Sequence, residues 1–356
     1  MASLKLRDRD AIVTKEGLIF RVFGYSHPPD AFLCDAEYAS ARIFKSKDPR
    51  APRTGGNQRF FKFYNDEGLK LVFNQFPKYT FFHKMLRQKV VGINQADIEE
   101  VRKPKERLFS LFKTGPKDEL EDAAHRVVSI VLESSDLVLD NLGVFGSMLH
   151  DFHHPKFSDI DLVVYGRKEN TLIREKLQEL YSESTSGFRN EFENNEAIRG
   201  KKWRFKNYKA EEFLWHQKRK KIYGLFEDKK SRRIIKAEFE PVKDWSEISS
   251  EYNAKTQVLR KGWTKIEARV VDATDSAFIP SIYQIEPLAL LKGRKEAFNS
   301  QRVVSYMEEF RLQAEKDEEI RVEGNLEEVI SPKGNFHQIT LTYCPRYYEQ
   351  VLKVLS

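Results

Sequence analysis

Asp159 and Asp161 stand two residues apart in the apolar stretch Ser158-Asp159-Ile160-Asp161-Leu162-Val163-Val164. In a β-strand, side chains two apart leave the same face, with Cα atoms about 6.7 Å from one another. At that separation and an effective dielectric near 20, the two carboxylates repel by roughly 2.5 kcal/mol, a cost that a cation between them removes. A hard divalent ion such as Mg²⁺ takes oxygen ligands, and a pair of such ions stabilises both the attacking and the leaving oxygen of a phosphoryl or nucleotidyl transfer. Upstream, Gly146-Ser147 follows an apolar run and opens a short helix. Glycine lets a phosphate approach the backbone, and free N–H groups with a serine hydroxyl suit a triphosphate. Each signal alone has a plain structural use, a solvated strand end for the aspartates and a helix cap for Gly-Ser. Together they address one nucleotide.

The combination resembles the polymerase beta type of nucleotidyltransferase, whose signature is an apolar strand, Gly-Gly or Gly-Ser, a short spacer, and Asp-x-Asp or Asp-x-Glu in an apolar strand. Val144-Phe145-Gly146-Ser147 and Ser158 to Val164 fit it closely. The resemblance spans residues 117–244. It implies that Asp159 and Asp161 bind two Mg²⁺ ions and that Gly146 and Ser147 hold the phosphates of a nucleoside triphosphate such as ATP. It also implies a third carboxylate on a neighbouring strand, in an apolar-acid-apolar-apolar-Pro pattern. Ala237-Glu238-Phe239-Glu240-Pro241 is the nearest match. Glu238 aligns best, as general base and metal ligand, with Glu240 two residues on and facing the same side. The family's arginine three residues after the serine, and its glycine four after, are His150 and Asp151 here. His150 is then the candidate for that phosphate contact.

These residues need a scaffold, and hydrophobic periodicity supplies one. A helix is predicted over 116–133, a strand over Leu137 to Phe145, a second over Ile160 to Tyr165, and an amphipathic helix over Thr171 to Tyr181. Beyond them comes a hairpin of Lys221 to Phe226 with Ser231 to Val242. Before this block, short apolar runs at Ala11 to Thr14, Leu18 to Tyr25 and Phe60 to Tyr64 alternate with turn clusters. After it, strand-like runs recur at Lys265 to Val271, Ala277 to Ile285, Val303 to Phe310, Ile320 to Val329 and His337 to Tyr343. Five strands in this span suit a small closed barrel, of which the OB type is one. The expected fold class is therefore α+β. A polymerase-beta-like nucleotidyltransferase core occupies 111–250, an N-terminal α/β accessory domain 1–110, and a C-terminal mostly-β, OB-like domain 251–356.

A chain of 356 residues is long for one core, which agrees with this division. The two cysteines, Cys34 and Cys344, are far apart and each alone, so neither a disulfide framework nor a cysteine zinc site is indicated. His150, Asp151, His153 and His154 follow no standard zinc spacing. No run approaches the about 20 apolar residues of a membrane span, and MASLKLRDRD has no signal-peptide core. A cytoplasmic protein without a membrane partner is expected.

The net charge of +7 is local: Arg199 to Lys236 holds 15 Lys and Arg against 4 Asp and Glu. Trp203, Phe205, Tyr208, Phe213 and Trp215 interleave with these cations, a composition that suits single-stranded nucleic acid. The same composition also suits rings in a core beneath a solvated charged face. The function expected from these residues is Mg²⁺-dependent transfer of a nucleoside monophosphate from a triphosphate to an acceptor hydroxyl, with an RNA 3′ end favoured. The alternatives are a catalytically silent nucleic-acid-binding protein on the same fold, and transfer to a small molecule or a protein.

Overall fold

Short strands of alternating burial build the N-terminal sheet. In the computed structural model, which describes residues 4–56, 58–133, 135–199, 203–249, 252–342 and 346–355, they are β1 (Ala11–Val13), β2 (Leu18–Val22), β3 (Ala31–Ser40), β4 (Pro52–Gly55), β5 (Gln58–Lys62), β6 (Thr80–His83), β7 (Gln88–Asn94) and β8 (Glu100–Arg102). They run in the order β4-β5-β3-β2-β1-β8, with β7 pairing β3 and β6. Helix α1 (Glu67–Gln75) covers this sheet with Leu71 and Val72, beside Phe20, Phe32 and Ile93.

The next block follows the predicted alternation. Helix α2 (Pro104–Thr114) precedes α3 (Glu119–Leu132). Asp118 caps α3 by accepting from the N–H groups of Leu120 and Glu121, satisfying two donors that a helix start leaves open. Strand β9 is only Leu142–Val144. The longer strand expected from Leu137 is cut short because Leu139–Asn141 is a 3₁₀ turn, in which the Asn141 side chain accepts from the Val138 N–H at 2.9 Å. Then come α4 (Gly146–Leu149), β10 (Ile160–Tyr165), α5 (Arg167–Ser182), β11 (Phe188–Asn190), α6 (Ala210–Lys220), β12 (Tyr223–Asp228) and β13 (Arg233–Val242). The five-stranded sheet runs β11-β12-β13-β10-β9, with β10 parallel to β13 and antiparallel to β9. Ile160, Leu162 and Val163 are fully buried, which explains why β10 is a nearly continuous apolar run.

The chain forms two compact units. The first comprises Met1–His83, Gln88–Arg189 and Gly224–Tyr252, so the N-terminal sheet and the core sheet fold as one body. Its least expected feature is the charged run Arg7-Asp8-Arg9-Asp10, all four of which are buried. Arg7 donates to the Lys243 carbonyl at 3.0 Å and lies over the Tyr165 ring at 3.7 Å. Arg9 reaches Glu240 at 2.7 Å. The first residues thereby clasp the end of β13.

The second unit comprises Lys84–Arg87, Asn190–Tyr223 and Asn253–Ser356. Its strands are β14 (Gln257–Asp275), β15 (Ser281–Lys292), β16 (Ser300–Ser305), β17 (Glu319–Ser331), β18 (Gly334–Leu341) and β19 (Val351–Val354). They follow the order β14-β15-β16-β18-β17-β19, and β14 also pairs β17 along its length. The pairings of β14, β15, β16, β18 and β17 thus run in a closed cycle around Ile266, Val270, Tyr283, Val303 and Ile339. The runs expected at Ala277 and Val303 are trimmed. Strand β15 starts at Ser281, and Glu308–Phe310 is a 3₁₀ turn. Tyr343 and Cys344 lie outside the described residues.

Candidate active site

The Gly-Ser turn is built from the end of β9. Phe145 is extended and donates its N–H to the Asp161 carbonyl at 2.9 Å, which aligns the turn with β10. Gly146 then takes φ +61°, a left-handed conformation that glycine adopts without steric cost. A Cβ at this position would stand 2.2 Å from Asp161 Oδ2. Backbone and carboxylate are therefore as close as the absence of a side chain allows. Ser147 is partly exposed, and its hydroxyl has no side-chain hydrogen bond among the described residues. Helix α4 is a single turn of four residues, so the local N–H groups matter here more than any macrodipole. Gly146→Ala is expected to impose roughly 1 to 2 kcal/mol of backbone strain and to displace the Asp161 carboxylate. Unfolding midpoint and nucleotide transfer should both fall, and an alanine variant equal to wild type in both would refute this reading.

Asp159 sits just ahead of β10 and is exposed, while Asp161 is the second residue of the strand. Asp161 lies opposite Glu238 in the parallel register of β10 with β13. Dense surroundings, and then the nearby Glu238 charge, push the Asp161 carboxyl up to about 8, although the residue is partly accessible; Lys62 acts in the opposite sense. Asp159 is raised as well, by desolvation, against the pull of Lys236, Arg233 and Lys62. Asp161 and Glu238 are thus opposed across β10 and β13 with Asp159 just ahead of the strand, oxygen donors of the kind a hard divalent cation takes, although the ligand atoms of the three do not all lie within 4.8 Å of one another. Glu240, the other candidate on β13, is 3% exposed and held by Arg9, whereas Glu238 is partly exposed and paired with Lys236.

His150 is placed differently. It is 4% exposed, with its ring 5.3 Å from Tyr38 and 5.4 Å from Phe152, and Arg102 Nη1 stands 3.2 Å from its Nδ1. Burial, with Arg102 adding to it, pushes its pKa down to about 3, so the ring is neutral near pH 7. A neutral, buried imidazole does not supply the cation that the resembling enzymes carry at this point. Asp151, at the family's glycine position, has φ +55° and so keeps the glycine-like backbone. Its carboxylate meets Arg107 at 2.7 Å, and Arg107 also holds Glu121 at 2.6 Å and the Met148 carbonyl at 3.1 Å. Glu121, Asp151 and His153 each bring one ligand atom within 4.8 Å of the others. The Arg107 guanidinium already balances the two acids, and His153 Nε2 bonds Asp118 at 2.8 Å, so this cluster anchors the loop.

The basic and aromatic stretch divides. Residues 199–223 belong to the second unit, and 224–236 to the first. Phe205 and Tyr208 are buried in the second unit's core, with Phe213 packed beside them, so these rings stack on protein. Trp203 and Trp215 are the exposed ones. Lys206, Lys218 and Arg219 are in ion pairs with Glu349, Glu193 and Glu318. Lys201 and Lys202 lie outside the described residues. Residues near the carboxylates that motif reading missed are Lys62, Tyr38 and Arg9, all from the first hundred residues. No spacing signal links them to the Asp-x-Asp motif; only the packing of the N-terminal sheet on the core brings them there.

Comparison with known proteins agrees with this geometry. Residues 126–256 match the family model described as a nucleotidyltransferase domain, an interval that takes in the Gly-Ser turn, both aspartates and Ala237-Pro241. The chain is also 26% identical over 286 residues to the "Uncharacterized protein MJ1086" of Methanocaldococcus jannaschii, covering 80% of this chain and 81% of that one. No solved structure matches. Among the described residues, no helix is long and apolar enough to cross a membrane. This chain carries, at residues 126–256, a nucleotidyltransferase domain of the polymerase beta superfamily, a domain that transfers phosphorus-containing groups.

Proposed function

We propose that the protein transfers a nucleoside monophosphate from a triphosphate to an acceptor hydroxyl in the presence of Mg²⁺, releasing pyrophosphate. The observation that carries this reading is the register of Asp161 with Glu238, beside the glycine that brings Asp161 against the backbone. Asp159, Asp161 and Glu238 would hold the metal, which when bound supplies Lewis-acid stabilisation of charge on the transferred group. Gly146 and Ser147 would receive the phosphates through N–H and hydroxyl donors. Glu238 would take the proton of the acceptor hydroxyl as its oxygen bonds to the α-phosphorus and the bond to the bridging oxygen breaks. The tie of Glu240 to Arg9 and its burial favour Glu238 over Glu240 for that role.

An RNA 3′ end is the favoured acceptor. In support, the second unit closes five strands into a cycle, which we read as a small barrel of the OB type, a fold that binds oligonucleotides. Trp203 and Trp215 remain exposed there for stacking. The purified protein, incubated with labelled triphosphates and Mg²⁺, should label an RNA pool in preference to DNA, protein or small-molecule pools; if none is labelled, the proposal fails. Glu238→Gln should lower kcat by roughly 10² to 10⁴ through loss of the base. Glu240→Gln, assayed well below its melting point, should change kcat little. The reverse ranking would assign the base to Glu240.

A further inference from the structure

Resting on the transfer reading above, we propose that Lys62, on β5 of the N-terminal sheet, binds the β- and γ-phosphates of the triphosphate and the pyrophosphate that leaves. Strands β3 and β5 are antiparallel, with Tyr38 opposite Lys62 and Ser40 opposite Phe60. Directly opposed residues share a face, and so do residues two apart on one strand, so Tyr38, Phe60 and Lys62 lie on one face of this sheet.

That face covers the chain as it leaves the Gly-Ser turn. The Phe60 ring is 4.5 Å from Phe152, and Tyr38 is 5.5 Å from Phe152 and 5.3 Å from His150. At Gly55, on the neighbouring β4, a Cβ would stand only 2.5 Å from the Phe152 ring. The contact is therefore close along the whole hairpin. Lys62 is the next residue on this face after Phe60, and so continues the surface that meets His150 and Phe152, in the loop between the Gly-Ser turn and the aspartates.

Charge accounting around the carboxylates singles it out. Arg233 is committed to the Pro155 carbonyl at 2.6 Å and the Ser158 carbonyl at 3.3 Å, holding the loop that carries Asp159. Lys236 is paired with Glu238. Lys62 is partly buried, yet among the described residues it has neither an ion pair nor a side-chain hydrogen bond. It stands near the acids without being bound to them, and His150 is neutral where a phosphate-binding cation would otherwise stand. A lysine ammonium serves phosphate as a compact point charge with three donors. The accessory part of the chain would on this account complete the nucleotide site.

The test is titration of ATP, inorganic tripolyphosphate and AMP into the full-length protein with Mg²⁺ by calorimetry. Lys62→Ala should bind ATP and tripolyphosphate roughly tenfold to a hundredfold more weakly, the effect of losing a charged hydrogen bond. Its AMP affinity and melting temperature should stay unchanged, and Lys62→Arg should recover most of the ATP affinity. The inference is overturned if Lys62→Ala binds ATP as wild type does. It is also overturned if ATP and AMP affinity fall together with the melting temperature, which marks a structural role. Wild-type protein that binds none of the probes would overturn the transfer reading and this inference with it.

Discussion

Asp161→Asn should abolish nucleotide transfer and, in the absence of metal, make the protein more stable than wild type at pH 8. The two effects have one cause. Asp161 is crowded by desolvation and by the charge of Glu238, and its carboxyl is raised from the ordinary range to about 8. A carboxyl whose folded-state pKa lies above its unfolded value binds more protons in the folded state between those two values, so its contribution to stability falls as pH rises through that window. The penalty is absent near pH 4 and complete above pH 8. Asparagine is nearly isosteric and carries no charge, so it removes the penalty and the pH dependence together.

Metal binding should reverse the ranking. A cation that binds only the folded state stabilises by mass action, by about 2.7 kcal/mol at a hundred times its dissociation constant. Mg²⁺ should therefore raise the melting temperature of wild type at pH 8 and leave Asp161→Asn nearly unmoved. Thermal melts of both proteins at pH 5 and pH 8, with and without Mg²⁺, form the complete experiment. An asparagine variant less stable than wild type at pH 8 without metal would sink the electrostatic account. Equal Mg²⁺ shifts in both proteins would remove Asp161 from the metal site.

How much of this could be read beforehand depended on whether a feature leaves a local trace. Ile160–Tyr165 forms its strand as expected, because an apolar run interrupted only at Asp161 and otherwise buried has few other uses. The Gly146 turn and its nearness to the aspartates were legible for a similar reason, since only glycine takes φ +61° at such close approach without strain. The strand ahead of it was overestimated, because the Asn141 side-chain oxygen accepts from the Val138 N–H and that local bond competes with pairing. Phe205 and Tyr208 read equally well as stacking rings or as core, and composition does not separate the two; packing against the second unit's strands does. Least legible was Arg7 to Asp10. Four charges in sequence carry the signature of a solvated tail, and their burial depends on partners more than 200 residues away, such as Lys243 and Glu240.

That clasp carries the second large effect: Arg9→Met should destabilise the first unit by about 3 to 5 kcal/mol, the usual cost of removing one partner from a buried ion pair. Arg9 and Glu240 have side-chain exposures of 1% and 4%, and their atoms meet at 2.7 Å. Without the guanidinium, Glu240 is left as a buried carboxylate within the field of Asp161, so the acids nearest the active site repel more strongly. For a unit of this size the melting temperature should drop by roughly 10 °C. The double variant Arg9→Met with Glu240→Met should recover the part of the loss that comes from Glu240, because that carboxylate is gone as well, while Asp8, whose Oδ2 faces Arg9 Nε at 3.6 Å, keeps its own cost. A double-mutant cycle on melting temperature measures this directly. Additive losses, with the double variant worse than either single one, would show that the pair is not coupled and that Arg9 acts through its packing over Phe145 instead, where its guanidinium lies 5.4 Å from the ring centre. Recovery would establish that the N-terminal residues hold β13 in place, and with it the register that sets Glu238 opposite Asp161.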